Sequence, residues 1–100
     1  MKNNKPYVVA LGICKNEGRN ITRWCENVNK IADEIILLDT GSEDASPELA
    51  TLLGASVFSF LFRNGQFSFS VARNKALELL PKDADWIIFT DIDEVFAEES

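Results

Sequence analysis

Asp91 and Asp93 flank one apolar residue, Ile92. In extended chain the two carboxylates point the same way while Ile92 turns to the opposite face. Two carboxylates on so short an arc repel unless a cation neutralises them, and Mn2+ or Mg2+ bound through one or two carboxylates plus phosphate oxygens is a common resolution. A solvated acidic turn is the competing reading, because Glu94, Glu98 and Glu99 follow. A calcium EF-hand loop does not fit: Phe96 stands where the loop needs glycine, and the sequence ends before the loop's twelfth position.

Four further residues have chemistry to offer. Asp39 closes the apolar run Glu34-Ile35-Ile36-Leu37-Leu38 and precedes Thr40-Gly41-Ser42. Its carboxylate can accept from a nucleobase or ribose donor, or cap the loop through the Gly41 and Ser42 amides. Lys15 and Arg73 are the candidate phosphate partners; Arg73 is expected in the first turn of a helix, where free amides and the positive dipole end favour an anion, or is an exposed helix arginine. Glu17 either hydrogen-bonds a ribose or caps a helix together with Asn16 or Asn20. The chain has no histidine, which removes zinc sites with histidine ligands and Cys-His nucleophiles. Neither GxGxxG nor GxxxxGK[ST] is present. A receiver-type acidic pocket needs its acid pair after the first strand, where Lys15-Asn16-Glu17 stands instead.

These residues need a scaffold, and the hydrophobic pattern supplies one. Residues 7–14 form a near-continuous apolar run, as expected of a central strand buried on both faces. Ile21, Trp24, Cys25, Val28 and Ile31 recur at helical spacing, predicting a helix over about 20–31 capped by Asn20. A second strand is expected over 34–39. Ser46-Pro47 opens a helix that runs to Leu53 and stops at Gly54. A third strand is expected over 56–62, followed by a loop at Arg63-Asn64-Gly65-Gln66. Ser68 or Ser70 caps a third helix whose apolar positions are Phe69, Ala72, Ala76, Leu79 and Leu80. Residues 86–90 form the fourth strand. The order βαβαβαβ implies an α/β fold with a parallel, right-handed, doubly wound sheet and helices on both faces. In such sheets the ligand crevice lies beyond the carboxyl ends of the strands, which is where Lys15, Glu17, Asp39, Asp91 and Asp93 fall.

Composition narrows the function. With 100 residues the chain has room for one small domain, and 46% hydrophobic and 26% charged residues suit a packed core rather than disorder. Ten basic against sixteen acidic residues, a net charge of -6, argue against a nucleic-acid or anionic-lipid surface. No apolar run approaches the roughly 18 residues of a membrane span, and Met1 to Pro6 is polar, with no apolar stretch of signal-peptide length. The expected location is the cytoplasm, with the inner face of the membrane as the alternative. Cys14 and Cys25 are expected as buried free thiols.

Four blocks in order carry a resemblance: Cys14-Lys15-Asn16-Glu17 after the first strand; Ala32 to Ser42 with Asp39-Thr40-Gly41-Ser42; Phe69-Ser70-Val71-Ala72-Arg73-Asn74; and Asp85 to Glu94 with Asp91-Ile92-Asp93. Over about residues 7–96 the chain resembles the amino-terminal half of a family-2 glycosyltransferase, a partial GT-A, Rossmann-like fold. It is most similar to the bacterial subgroup with KNE, DTGS and ARN blocks, which contains lipopolysaccharide-core and peptide glycosyltransferases. The resemblance implies an enzyme that transfers a hexose from a nucleotide sugar, such as a UDP-sugar, to an acceptor, with inversion. Asp39 would hold the base, Glu17 would lie near the ribose and Arg73 near the diphosphate. Asp91 and Asp93 would be the DxD motif that binds Mn2+ or Mg2+. Thr40 stands where the family often has a second Asp. The acceptor pocket and general base are expected outside these 100 residues, so no catalytic residue is assigned and the chain is expected to be inactive alone. The non-enzymatic alternatives are a nucleotide- or magnesium-binding module and an oligomerising fragment, and self-association is expected in either case.

Overall fold

The structure, a computed structural model, describes residues 5–62 and 68–92. Asp93 and the expected loop at 63–66 lie outside the described residues. Seven elements follow in order: β1 (Val8–Cys14), α1 (Gly18–Asn29), β2 (Glu34–Asp39), α2 (Ser46–Leu52), β3 (Ser56–Ser59), α3 (Phe69–Glu78) and β4 (Trp86–Phe89). The strands form one parallel sheet in the order β3-β2-β1-β4. β1 is therefore central, as its apolar run implies.

The two faces of the sheet are covered by different helices. Ala10 and Cys14 of β1 and Ile35 and Leu37 of β2 pack with Ile21, Trp24, Cys25 and Val28 of α1 and Ala50 of α2. Their alternates, Val9, Leu11, Ile36 and Leu38, pack with Ala72 and Ala76 of α3. Both strands are thus buried on both sides, the condition that produces unbroken apolar runs. The two alanines, four apart on one face of α3, leave no side chain to hold that helix away from the sheet. Gly12 serves the same end on the other face. A Cβ there would lie 2.8 Å from Ile92 Cδ1 and 2.9 Å from two atoms of the Trp24 ring. Trp24 is 1% exposed and its Nε1 donates to Thr90 Oγ1 at 2.9 Å, which ties α1 to the chain leaving β4.

At the amino ends of the strands, side chains take up the free backbone groups. The Tyr7 amide donates to Asp85 Oδ2 at 2.7 Å, the Val8 amide to Asp33 Oδ2 at 2.8 Å, and the Tyr7 hydroxyl to Glu34 Oε1. That end is closed by its own carboxylates.

Several boundaries differ from the sequence pattern. Helix α1 starts at Gly18 rather than Asn20, because its first amides are held from another loop: Gly18 N donates to Asp44 Oδ2 and the preceding Glu17 N to Ser46 Oγ. Asn20 is inside the helix and caps nothing; its side-chain amide donates to Glu17 Oε1 at 3.1 Å. Ile31 falls beyond the helix and is 54% exposed. For α2 the N-cap position is Ala45, and the preceding Asp44 accepts from both the amide and the hydroxyl of Ser46. That helix ends as a Schellman motif, with Gly54 at φ 98°, the Ala55 amide on Ala50 O and the Gly54 amide on Thr51 O. Strand β3 stops at Ser59, and the next amide, of Phe60, donates to Asp39 O. Strand β4 stops at Phe89, one residue early, where Thr90 turns to Trp24. Ser68 is the cap of α3, accepting from the Val71 amide at 3.3 Å.

Candidate functional site

The carboxyl ends of β1 and β2 are level, with Cys14 opposite Asp39 in register. The loops that follow form a single hydrogen-bonded unit. Asn16, at φ 54°, accepts on Oδ1 from the Glu43 amide at 2.7 Å and from the Asp44 amide at 3.3 Å. Its own amide donates to Ser42 Oγ at 2.8 Å. A non-glycine residue in the left-handed region is uncommon, and asparagine is among the side chains that tolerate it. The conformation turns the amide and the side chain of Asn16 toward the second loop together. The Thr40 amide and hydroxyl both donate to Cys14 O, at 2.9 Å and 3.3 Å. The Lys15-Asn16-Glu17 and Asp39-Thr40-Gly41-Ser42 blocks are therefore halves of one rigid rim.

Asp39 is 5% exposed and holds that rim from within. Its Oδ2 accepts from the Gly41 and Ser42 amides at 3.2 and 3.1 Å, and its Oδ1 accepts from the Ser42 hydroxyl at 2.5 Å. Of the two roles its sequence position allowed, the loop cap is the one its contacts display. A carboxylate has about four acceptor positions, and donors from the described residues take three of them here.

Above the rim, a cleft of about 270 Å³ is lined by Ile13, Lys15, Glu17, Thr40, Phe69 and Asp91. It sits where β1 and β4 are neighbours although their connecting helices lie on opposite faces, the switch point at which α/β sheets bind ligands. A second hollow of about 210 Å³, lined by Phe69, Arg73, Phe89 and Asp91, adjoins the first through Phe69 and Asp91. Lys15, Glu17, Arg73 and Asp91 are thus brought together, Asp39 lies beneath them, and Asp93 falls outside the described residues. Arg73 is in the second turn of α3, not the first, with its guanidinium 5.6 Å from the centre of the Phe89 ring. Its placement comes from that ring rather than from the helix terminus. Ile92 is 2% exposed and turns into the core, as the alternation with Asp91 requires, so Asp91 is left exposed at the cleft.

Phe69 was expected on the buried stripe of α3, yet it is 52% exposed and borders both hollows. Periodicity alone could not separate it from Ala72 and Ala76; its place in the first turn, beside the strand ends, was the available signal. The thiols are not reactive groups of the site. Cys14 and Cys25 are free and fully buried, and burial pushes Cys14 up and Cys25 up to about 11. Both stay protonated at neutral pH; Cys25 packs as a small apolar group, and Cys14 places its Sγ 3.9 Å from Ser42 Oγ, at the base of the rim.

Among the described residues no group of three acidic or cysteine side chains could enclose a metal ion. The donor chemistry nevertheless suits a hard cation shared with phosphate oxygens. Asp91 offers an exposed carboxylate at the cleft, and such ions take one or two protein carboxylates and complete their shell elsewhere.

The glycosyl transferase family 2 model matches residues 12–100. The chain belongs to that family. An uncharacterised glycosyltransferase of Rickettsia bellii is 37% identical over 94 residues, covering 92% of this chain and 29% of the relative. A TPR repeat-containing protein of Synechococcus elongatus is 38% identical over 82 residues, covering 82% of this chain and 19% of that protein. The SPbeta prophage-derived glycosyltransferase SunS of Bacillus subtilis is 28% identical over 99 residues, covering 99% and 23%. The chain thus spans less than a third of the length of each of these relatives. Among solved structures, glucosyl-3-phosphoglycerate synthase from Mycobacterium tuberculosis, crystallised with Mn2+, UDP and glucosyl-3-phosphoglycerate, superposes with a TM-score of 0.70 at 24% identity, over 88% of this chain and 34% of that one. That likeness establishes the GT-A architecture of the sheet and helices. Among the described residues no helix is long and apolar enough to cross a membrane.

Proposed function

We propose that the chain is the donor-binding part of a cytoplasmic, metal-dependent, inverting glycosyltransferase that takes a hexose from a UDP-sugar. The observation that carries this reading is the cleft at the β1/β4 switch point, where Lys15, Glu17, Thr40 and Asp91 converge over the Asp39 loop. A fold neighbour crystallised with Mn2+ and UDP supports the choice of ligand.

In this reading the Asp39 loop and Glu17 receive the nucleoside, and the diphosphate runs toward Asp91 and Arg73. Lys15 and Arg73 oppose its negative charge. Arg73 has its guanidinium against the Phe89 ring, beside the hollow it shares with Asp91. Asp91, and Asp93 two residues on, hold Mn2+ or Mg2+, which when bound offsets the charge that develops on the departing diphosphate. The hydrogen-bonded rim keeps the polar groups in position before the donor binds, which is where such stabilisation is most effective.

Calorimetry with UDP in the presence of Mn2+ or of EDTA tests the reading. Binding is expected to require the metal, and the double change Asp91→Ala, Asp93→Ala is expected to abolish that requirement together with most of the affinity. Equal UDP binding in EDTA would remove the metal from the account.

A further inference from the structure

The donor-site reading leaves one side chain of the cleft without a role. Phe69 lies in the first turn of α3 with 52% of its surface exposed, although the same turn offers a buried position, which Ala72 fills. It lines the main cleft together with Thr40 and Lys15, and it also lines the hollow that holds Arg73 and Asp91. The main cleft is divided in character. Ile13 and Phe69 give it apolar side chains, and Lys15, Glu17, Thr40 and Asp91 give it polar groups. A slot with one aromatic side and polar atoms around its margin suits a flat heterocycle that stacks by its face and hydrogen-bonds by its edge. Arg73 lines only the adjoining hollow, past the ring, while Asp91 lines both hollows.

We propose that the Phe69 ring is the stacking wall for the base of the bound nucleoside diphosphate, an inference that rests on the donor-site reading above. The ring sets which end of the donor enters which hollow: the base lies between Phe69 and the Asp39–Thr40 loop, and the diphosphate lies toward Arg73. Because every base has a π-face, the wall adds affinity for nucleotides in general, and the choice among bases falls to the polar rim.

The test compares UDP with inorganic pyrophosphate, which lacks base and ribose, by calorimetry with Mn2+ on the wild-type chain and on Phe69→Leu and Phe69→Tyr. Leucine keeps the apolar bulk at a half-exposed site and removes the ring, so folding is retained; tyrosine keeps the ring. Stacking on an aromatic side chain predicts that Phe69→Leu weakens UDP by about tenfold to a hundredfold. Pyrophosphate binding should stay within about twofold, and Phe69→Tyr should bind UDP like the wild type. Unchanged UDP affinity in Phe69→Leu overturns the inference, as does an equal loss of UDP and pyrophosphate, which would make the ring a prop for the phosphate end. If the wild-type chain binds neither ligand, the donor-site reading itself fails, a result distinct from the other two.

Discussion

Asn16 shows how much of the rim depends on one residue's backbone. Alanine there keeps φ 54° strained, at about 1–2 kcal/mol, and removes the acceptor for the Glu43 and Asp44 amides; glycine removes the acceptor and relieves the strain. Chemical denaturation should therefore find Asn16→Ala less stable than Asn16→Gly by about 1 kcal/mol, and equal values would mean that the strain is absent. Gly12→Ala should destabilise by about 1–3 kcal/mol, since the new methyl meets the Trp24 ring and Ile92 at under 3 Å. Tyr7, the chain's single tyrosine, supplies a titration that can be watched alone. Its hydrogen bond to Glu34 raises the phenol from 10.0 to about 12. A raised value means that the contribution is complete below pH 10 and is lost as pH climbs from 10 toward 12. Ultraviolet titration should show phenolate forming near pH 12, and Glu34→Gln should bring it back toward 10; a native phenol that titrates at 10 would contradict the contact. The residue types of the site were legible in the sequence, but their roles were less so. Asp39 could cap its loop or meet a ligand, and only the positions of the Gly41, Ser42 and Ser42 hydroxyl donors show that it caps.

Among the elements, the strands were the clearest, because β1 and β2 are buried on both faces and their apolar runs have no competing explanation. Helix starts were the least clear, since the caps of α1 come from a loop nearly thirty residues away. Asp44 and Ser46 serve both helices at once, holding the Gly18 and Glu17 amides while Asp44 also accepts from the Ser46 amide at the start of α2. No local pattern around Asn20 records that. Ser46 is fully buried, so Ser46→Ala strands the Glu17 amide and should cost about 1–3 kcal/mol of unfolding free energy. A loss below about 0.5 kcal/mol would show that the two helices are not coupled there. Hydrogen bonds from Ser46 and Gly18 hold the Asp44 carboxyl below its ordinary 3.8. That depressed value adds stability at and above ordinary carboxylate titration, and the contribution disappears as pH falls below 3.8 toward the folded value. Phe69 illustrates the remaining gap. Helical period places it near Ala72 and Ala76, and only the assembled sheet shows that the first turn of α3 overhangs the strand ends.

For the whole molecule, the proposed donor site lies at the switch point of the sheet, and the acidic charge of -6 is no obstacle to a local site with Lys15 and Arg73. Among the described residues β4 pairs with β1 alone, and Trp86 and Ile87 on it are 65% and 38% exposed. An open edge carrying large apolar side chains invites pairing with a second copy. Charge repulsion is screened beyond about 8 Å at physiological ionic strength, whereas burial of such side chains is worth roughly 1.5–3 kcal/mol each. Light scattering at high micromolar concentration should report a dimer or larger species, and a clean monomer would show the edge to be covered. The location of the donor site is the central claim, and amide chemical-shift mapping tests it most directly. Titration of labelled protein with UDP and Mg2+ should move the amides of Lys15, Glu17, Thr40, Phe69 and Asp91 at the carboxyl ends of the strands, and leave Tyr7, Glu34 and Asp85 at the opposite end in place. Shifts centred on that opposite end, or on the α2–β3 side of the sheet, would contradict the account.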